Sequence, residues 1–434
     1  MNRSLSTVSL KRSFKIALAF VGLLVGAGFA TGQEVIQYFL SFGAIGLVGA
    51  VVAGVVFALA GAVIIQLGSF YLAEEHNRVF RSVANPVISR FLDIAVTLTL
   101  FAVGFVMLAG AGSTLEQQWG FPAWAGAAVM TVLVMLVGML DVDRVSSVIS
   151  TLTPLIILAV IVAFIYTMAN LPQDFSQLSS VAQEQASPVQ PWLLSALNYN
   201  GLALLLGVSM CLVIGGNNAE PREAGLGGLI GGILYTVLLL MAAVALYFNM
   251  AEVGDSAVPM LQLFEAMHPA LATIMVFIIF AMIFNTAIGM FYALGRRLTA
   301  SHRDKYRPVF LLACLLGYGV SFAGFDTLME YVYPVIGYTG MVMIVVMVFG
   351  WARYRTQIAE ETTRRGRLRA LLRLRRDPGK DYAPGHEKRY EEAVRQSPAD
   401  DDRLTQVLES RTEQDLELSD DEGSAEHDGG RAPA

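Results

Sequence analysis

The segment Val25-Gly26-Ala27-Gly28-Phe29-Ala30-Thr31-Gly32-Gln33-Glu34 interrupts the first long apolar stretch of the chain, which runs from about residue 14 to residue 40. It holds three glycines within seven residues, and each glycine costs about 1 kcal/mol of helix stability relative to alanine. Gln33 and Glu34 follow directly, and a carboxylate at this depth in a membrane is costlier still. We therefore predict a discontinuous first span, with an inner half near 14–25, an unwound stretch near 26–31 and an outer half from about Gly32 to Leu40.

The composition is typical of a membrane protein with a soluble tail. The chain has 434 residues, 55% hydrophobic and 15% charged, with a mean hydropathy of +0.56. Only 31 of the first 350 residues are charged, against 35 of the last 84. We predict a transmembrane domain over 1–351 and a cytoplasmic tail over 352–434.

Several function classes are disfavoured by the residues themselves. The two cysteines lie in apolar runs, and the five histidines do not pair at metal-ligand spacing. Hydrolase, metalloprotease and nucleotide-binding motifs are also missing from the sequence. We therefore expect neither an enzyme nor a nucleic-acid-binding protein, and no organic cofactor.

Ten stretches are long and apolar enough to cross about 30 Å of hydrocarbon as helices, which takes roughly 20 residues. The fold class expected is thus an all-α polytopic membrane protein. The stretches cover about 14–40, 44–70, 90–113, 121–140, 148–168, 196–216, 226–249, 269–294, 308–325 and 329–350.

The basic residues fix the predicted orientation. Lys and Arg precede span one and fall in every second loop after it, whereas the loops 41–43, 114–120, 169–195, 250–268 and 326–328 contain neither. Because basic loops stay in the cytoplasm, we expect both termini there, in the cell (inner or plasma) membrane. A cleaved signal peptide is an alternative for the first stretch, although its second apolar half would then have no role.

The spans divide into two groups of five, one over about 14–168 and the other over about 196–351. Because five is odd, the two groups enter the membrane from opposite faces. This arithmetic predicts a 5+5 inverted repeat, a plan common among secondary transporters.

A broken helix in the membrane exposes both kinds of backbone group. Free carbonyls at the end of the inner half favour a cation, and free N–H groups at the start of the outer half favour an anion. We therefore predict a midplane cavity that binds a small molecule, through Gly28, Phe29, Thr31, Gly32, Gln33 and Glu34. Two structural alternatives are close helix packing by the glycines and a capping box in which Glu34 reaches back to Thr31.

The nine residues from Gly26 to Glu34, followed by Gln37-Tyr38-Phe39, resemble the signature of the YkvI-like membrane transporters. These are placed in the amino acid–polyamine–organocation superfamily, whose members share the LeuT-type fold. The resemblance covers about 1–350 and includes Asn198-Tyr199-Asn200 and Arg296-Arg297-Leu298. It implies transport of a small solute, such as an amino acid.

The resemblance also implies a bound Na⁺ between spans one and eight. By position, its ligands here are the backbone of Gly26, Ala27 and Gly28 with the side chains of Asn285 and Thr286. At about 1.5 Å per residue, Thr286 and Gly26 lie roughly 12 and 18 Å from the inner ends of their spans. An interhelical hydrogen bond is the alternative role for Asn285 and Thr286.

The same resemblance implies a second break in span six, with further substrate contacts. Gly207 and Ser209 fall near the middle of that span and are the predicted positions. Gly207 has no companion glycine, so an intact packing helix is the alternative.

The tail begins with a basic segment, Arg364–Arg376, interleaved with leucines. This pattern predicts contact with anionic lipids of the inner leaflet. From about Ser397 the chain is rich in Asp, Glu, Ser and Gly, which predicts disorder.

The function predicted is a secondary active transporter of a small solute, an amino acid or related amine, coupled to Na⁺ or H⁺. A carboxylate-bearing substrate is favoured, because the outer half-helix offers its N–H groups near Thr31 to Gln33, and a cationic amine that pairs with Glu34 is the rival. A ligand sensor built on the transporter fold, or a channel, is the alternative function.

Overall fold

The structure is a computed structural model that describes residues 9–139, 143–172, 175, 177–376 and 381–428. Its α-helices are, in chain order, α1 Leu10–Leu24, α2 Ala27–Thr31, α3 Gln33–Tyr38, α4 Ala44–Tyr71, α5 His76–Val83, α6 Pro86–Trp119, α7 Ala123–Gly138, α8 Asp143–Ala169, α9 Leu178–Gln183, α10 Trp192–Gly216, α11 Pro221–Phe248, α12 Met250–Val253, α13 Pro259–Met267, α14 Pro269–Leu298, α15 Tyr306–Ser321, α16 Phe325–Arg376, α17 Pro384–Arg395 and α18 Asp401–Asp428.

All ten predicted spans are helical, which confirms the fold class. Within the described ranges, six helices are long and apolar enough to cross a membrane, namely α4, α6, α10, α11, α14 and α16. Shorter apolar helices occupy Ala123–Gly138, Thr153–Ala169 and Tyr306–Ser321, and α1 to α3 form the remaining, broken span. Many large apolar side chains point outward along these helices, such as Val55, Leu59 and Leu316. Such side chains suit contact with lipid.

The centre of the bundle is built from the first, second, sixth and seventh spans. Helix α4 packs against α10 and α11, and α1 lies against α10 and α11 as well. Small residues allow these close approaches: a β-carbon on Gly228 would stand 2.6 Å from the carbonyl oxygen of Gly61. Interfaces of small residues are typical of helices that pack within membranes.

The bundle has two chemically different ends. The basic end holds the starts of α1 and α11, the ends of α4 and α14, and the tail. There Arg297 contacts His76 and Arg365 contacts Phe70. The acidic end, on the opposite side, holds α3, α12, α13 and the start of α16, with Asp326 beside Gln33. In the sequence, the loops at this end contain acidic residues but no Lys or Arg.

The first span is broken, as predicted, but the unwound stretch is shorter than expected. Helix α1 ends at Leu24, and Gly26 adopts an extended conformation with φ −102° and ψ −172°. Ala27–Thr31 forms a single helical turn instead of open chain, and Gly32 then reverses the backbone in the left-handed region at φ 80°. The prediction that the whole of 26–31 is unwound is therefore wrong, because local i→i−4 bonds such as Ala30 N–H to Gly26 O, at 3.0 Å, re-form directly after the break.

Span six is not broken. Helix α10 is continuous from Trp192 to Gly216, so the predicted break at Gly207 and Ser209 is wrong. A β-carbon on Gly207 would stand 3.2 Å from Leu23 Cδ2 on α1. Gly207 therefore serves close packing between two helices, since one glycine without a neighbouring breaker does not interrupt a helix.

The tail is more ordered than the sequence predicts. Helix α16 runs without interruption from the last span to Arg376, through the predicted domain boundary at Trp351. Helices α17 and α18 fold back onto it, which corrects the expectation of disorder from Ser397. The reason is an apolar stripe that the acidic composition hides: Leu404 and Leu408 join Leu368 and Leu372 in a second hydrophobic core.

The basic segment Arg364–Arg376 makes many of its contacts within the protein. Arg365 is fully buried and donates to the carbonyls of Ser69 and Phe70 at 2.8 and 2.7 Å. Arg373 pairs with Asp415 of α18 at 2.5 Å. Contact between anionic lipids and the exposed arginines of the segment stays a prediction.

Candidate functional site

The two breaks in the first span hold the predicted site residues in a compact, buried arrangement. The hydroxyl of Thr31 donates to the carbonyl of Gly28 at 2.8 Å and accepts from the N–H of Gln33 at 3.4 Å. The N–H of Gly32 donates to the carbonyl of Phe29 at 3.2 Å. The backbone donors that were expected to hold a substrate carboxylate at Gly32 and Gln33 therefore already have partners within the chain.

Glu34 does not form the predicted capping box with Thr31. The residue before α3 is Gly32, and no side-chain hydrogen bond caps the helix. The Glu34 carboxylate instead lies against the backbone of Gly28, in the position that a β-carbon there would take. This approach is possible only because residue 28 lacks a side chain.

Glu34 is buried without a compensating charge. Its side chain is 7% exposed, and among the described residues no cationic group acts on it. A buried carboxylate without a partner is strongly unfavourable. Such a group is retained where a ligand or a proton completes the site, so Glu34 is the leading candidate for a functional side chain.

Aromatic side chains from several helices pack together beside the broken span. Tyr38 of α3 packs against Tyr199 of α10, with ring centroids 5.6 Å apart. The hydroxyls of Tyr199 and Tyr235 are hydrogen-bonded at 2.6 Å, and the rings of Phe29 and Tyr235 lie 5.7 Å apart. Phe29 of α2, Tyr38 of α3, Tyr199 of α10 and Tyr235 of α11 belong to this group, which we call the aromatic cluster.

Sequence reasoning missed Tyr199 of α10 and Tyr235 of α11 as site residues. A faint signal was present, because an isolated tyrosine in the middle of an apolar span needs a hydrogen-bond partner for its hydroxyl. Tyr235 is such a residue, preceded by Leu234 and separated from the apolar run that begins at Val237 only by Thr236.

A cavity of about 300 Å³ opens beside the site at the acidic end. Its walls include Gln33 and Gln37 of α3 together with three acidic side chains, Asp255, Asp326 and Glu330. The Gln33 amide donates to the Asp326 carboxylate at 3.3 Å. The amide oxygens of Gln33 and Gln37 are buried and have no hydrogen-bond partner among the described residues.

The structure brings the helices of the predicted sodium site together. Helix α2, which carries Ala27 and Gly28, packs against α14, which carries Asn285 and Thr286. Thr286 donates to the carbonyl of Met282 at 3.1 Å, and both side chains are half-buried. The carbonyls of Gly26 and Gly28 each accept one hydrogen bond, which leaves each a second lone pair. These groups are oxygen ligands of the kind that hard cations prefer.

Ser209 lies in a different polar network, near the basic end. Its hydroxyl contacts His76 Nδ1 at 2.8 Å, and His76 Nε2 accepts from Arg297 at 2.9 Å. Asp93 pairs with the same arginine. Ser209 therefore ties α10 to α5, α6 and α14, and it is not placed at the break of the first span.

Comparisons with known proteins agree with this architecture. No family model matches the chain. The chain is 28% identical to the uncharacterized membrane protein YkvI of Bacillus subtilis (strain 168) over 334 residues, 76% of this chain and 93% of that protein. It is 23% identical to the uncharacterized protein YyaD of the same organism, over 78% of this chain and 96% of that one.

Solved structures of transporters show the same fold. MhsT in complex with L-phenylalanine matches with a TM-score of 0.55 and 15% identity, over 91% of this chain and 97% of that one. Mhp1 in an inward-facing conformation matches with a TM-score of 0.52 and 10% identity, over 79% of this chain and 76% of that one. A mutant of the manganese transporter of Eremococcus coleocola matches with a TM-score of 0.50 and 12% identity, over 94% of both chains. The predicted likeness to YkvI and the LeuT-type fold are thereby confirmed.

Proposed function

We propose that this protein is a secondary active transporter of a small solute, an amino acid or a related amine, that works by alternating access. The observation that carries the proposal is the broken first span, which places a buried carboxylate without a charged partner beside the break. A purely structural span would not retain this arrangement, because the interrupted helix and the buried charge both cost stability. The likeness of the fold to transporters supports the same function.

The coupling ion is the second part of the proposal. Glu34 is suited to carry a proton, and the carbonyls of Gly26, Ala27 and Gly28 with Asn285 and Thr286 are suited to hold Na⁺. Either ion would bind beside the substrate and would be released with it when the site opens to the other side. This is the usual way in which an ion gradient drives a solute.

The proposed location is a cell membrane, with both termini in the cytoplasm. The clustering of arginines at the basic end supports this orientation, because basic segments are retained on the cytoplasmic side. The acidic end, with the cavity beside Gln33 and Gln37, would then face outward.

Uptake into proteoliposomes tests the function. Purified protein should accumulate a bound solute against its gradient when a Na⁺ or H⁺ gradient is imposed, and should exchange it in counterflow. Binding without accumulation under either gradient would favour the alternative, a ligand sensor. Helix α18 docks against the start of α1 through Arg12 and Asp415. In a sensor, this contact would pass a movement of α1 on ligand binding to the tail. Flux that does not saturate would indicate a channel.

A further inference from the structure

We propose that the basic end of the protein holds a second binding site, under the tail helix α18, for a ligand that carries a phosphate monoester. This site is separate from the cavity beside Gln33 and Gln37, and it does not depend on the proposed transport function. Three features support it: the cavity itself, the balance of charges around it and the helices that form its walls.

A cavity of about 520 Å³ lies between α1, the end of α10 and α18. It is larger than the cavity at the acidic end, which measures about 300 Å³. Lys15 of α1 and Gln406 of α18 line it and are exposed, so the cavity is open to solvent. Sites for small molecules typically measure about 300 to 1,000 Å³. A small organic molecule therefore fits between the tail and the transmembrane helices.

The walls of this cavity carry one sign of charge. Four cationic side chains line it, and none of its lining residues is acidic. The side-chain amides of two asparagines at the end of α10 lie in the same wall. A cleft lined by cations raises the local concentration of anions. The cationic lining residues are Arg12, Lys15, Arg403 and Arg411.

One carboxylate serves three arginines beside the cavity. Asp415 of α18 pairs with Arg12 of α1, with Arg373 of α16 at 2.5 Å and with Arg411 of its own helix at 3.5 Å. The Nη1 atom of Arg12 is buried and has no hydrogen-bond partner among the described residues. Buried donors without partners are rare in proteins. An acceptor is therefore still missing at Arg12.

The other ion pairs around the cavity leave a surplus of positive charge. Arg411 also contacts Glu223 at 2.9 Å, and Arg403 contacts Glu74 at 3.3 Å. Lys15 joins no ion pair with a residue that the structure describes. The five cations of these networks thus share three carboxylates. A phosphate monoester carries about −1.5 to −2 charges at neutral pH, which matches this surplus better than the single charge of a carboxylate or a phosphodiester.

Arginine is suited to phosphate, because its planar guanidinium donates two parallel hydrogen bonds to the phosphate oxygens. The cavity also has an apolar wall, which inorganic phosphate alone would leave uncovered. We therefore expect the phosphate to be attached to an organic group. Either a soluble compound such as a nucleotide or a phospholipid with a monoester headgroup has this chemistry. The apolar lining residues are Ile16, Ala19, Ile214 and Val407.

A ligand in this cavity would join the tail to the first span. Arg12 and Lys15 belong to α1, whereas Arg403 and Arg411 belong to α18. A phosphate held by both pairs would favour the docked position of α18. Because such coupling is reciprocal, displacement of the tail would in turn weaken the ligand. The concentration of the ligand would thus control how firmly the tail is docked.

Matched pairs of compounds test the site. Binding to the purified full chain, in a detergent without phosphate and at constant ionic strength, would be measured by calorimetry for AMP against adenosine and for glycerol 3-phosphate against glycerol. We expect at least one phosphate compound to bind about tenfold or more tightly than its partner, because hydrogen bonds between charged groups are worth about 1.5 to 3 kcal/mol each.

Nanodiscs test the lipid source of the same chemistry. The thermal midpoint of the full chain would be compared in phosphatidylcholine discs that contain phosphatidic acid, a monoester, or phosphatidylglycerol, a diester. A higher midpoint with phosphatidic acid, but no soluble binding, would assign the site to a lipid headgroup. If no phosphate compound binds more tightly than its partner and the two lipids act equally, the proposal is wrong.

Variants locate the binding on both helices. Lys15→Gln should weaken the ligand about tenfold, through the loss of one charged contact, and Lys11→Gln is the matched control, since Lys11 is exposed on the same helix outside the cavity. On the tail, Arg403→Gln should weaken the ligand similarly, and Arg389→Gln, an exposed change on α17, should not. Unchanged affinity in both site variants, or equal losses in the controls, would overturn the site.

Amide hydrogen exchange tests the link between the two helices. The bound ligand, in the form that gives the effect above, should slow exchange in α1 and α18 together and leave α13, at the acidic end, unchanged. Protection of only one of the two helices, or a loss of affinity in only one of Lys15→Gln and Arg403→Gln, would show that the ligand does not join them.

Discussion

The Glu34 carboxylate occupies the space above Gly28 in which any larger residue would place its β-carbon. The two residues belong to α3 and α2, on either side of the left-handed turn at Gly32. The chain therefore folds back on itself over one helical turn so that the side chain of one segment rests on the bare backbone of the other. Gly28 is required for the position of the carboxylate, and Gly32 is required for the turn.

Gly28→Ala should displace Glu34 from its position. The added methyl group would overlap the carboxylate, so we expect substrate affinity and uptake to fall at least tenfold. Gly22→Ala is the matched control on α1, since a β-carbon there would stand 3.9 Å from its nearest neighbour, Thr153. Equal uptake by Gly28→Ala and Gly22→Ala would show that transport does not depend on the position of the Glu34 carboxylate.

Glu34→Gln tests proton coupling separately from affinity. If Glu34 carries the coupling proton, the wild-type rate of uptake depends on pH, and the amide variant loses this dependence between pH 5 and pH 8 because it cannot titrate. Because the proton would be carried together with the solute, external acid should lower the apparent KM of the wild type. Glu252→Gln, at an exposed position of the same end, should keep the wild-type profile. If the Glu34→Gln variant keeps the pH profile of the wild type, another group carries the coupling proton.

Asn285→Ala and Thr286→Ala test the sodium site. Each would remove one of the proposed oxygen ligands, so we expect the Na⁺ concentration for half-maximal uptake to rise at least tenfold in each variant. Thr273→Ala is a close control, because Thr273 lies on the same helix and makes the same kind of bond, to Pro269 O at 3.2 Å. Sodium dependence that is unchanged in both site variants, relative to Thr273→Ala, would remove the proposed site.

The break of the first span was predictable from the sequence because its cause is local. The cost of Gly26, Gly28 and Gly32 in a helix, and the cost of Glu34 in a membrane, can both be read from ten consecutive residues. The length of the unwound stretch was not predictable in this way. It depends on where hydrogen bonds re-form, and Ala27–Thr31 recovers a full turn.

The aromatic cluster and the folded tail depend on contacts between residues that are far apart in the sequence. Tyr38, Tyr199 and Tyr235 meet only because α3, α10 and α11 pack together, and no local pattern links them. The acidic composition around Asp415 suggests disorder when it is considered alone. Its partners lie elsewhere: Arg12 is 403 positions away and Arg373 is 42 positions away.

His76 should make the stability of the protein depend on pH. Burial, and in second place the Arg297 guanidinium, lowers the pKa of His76 from 6.5 to about 4. The folded protein therefore keeps the ring neutral while the unfolded chain takes up a proton below pH 6.5. The contribution of the neutral His76 ring to the free energy of unfolding is complete above pH 6.5 and is lost as the pH falls towards 4. The loss between pH 7 and pH 5 is about 2 kcal/mol.

The thermal midpoint in detergent at the two pH values measures this effect. The drop from pH 7 to pH 5 should be smaller in His76→Gln, which keeps polar atoms at the site but does not titrate. His302→Gln changes an exposed histidine and should show the full drop. Equal drops in all three proteins would mean that His76 takes up its proton as readily in the folded state as in the unfolded one.

The docking of α18 should restrain the inner half of the first span. Arg12 on α1 pairs with Asp415 on α18, and Arg411 of α18 reaches Glu223 at the start of α11 at 2.9 Å. Helix α1 is joined to α2 only through the break at Val25 and Gly26, so its own helical bonds do not fix its angle to the rest of the span. The tail therefore holds α1 against α11 from the basic end.

Leu408→Ala provides the test, because Leu408 is fully buried in the second hydrophobic core. Its truncation should destabilise the docked tail by about 2 to 5 kcal/mol. We expect faster amide hydrogen exchange in α18 and in α1, with little change in α4, which is held on other faces by α10 and α11. Ser410→Ala, an exposed change on the same helix, should leave all three unchanged. Faster exchange in α18 alone would show that α1 is held by the bundle itself, since loss of the tail would then leave the position of α1 unaffected.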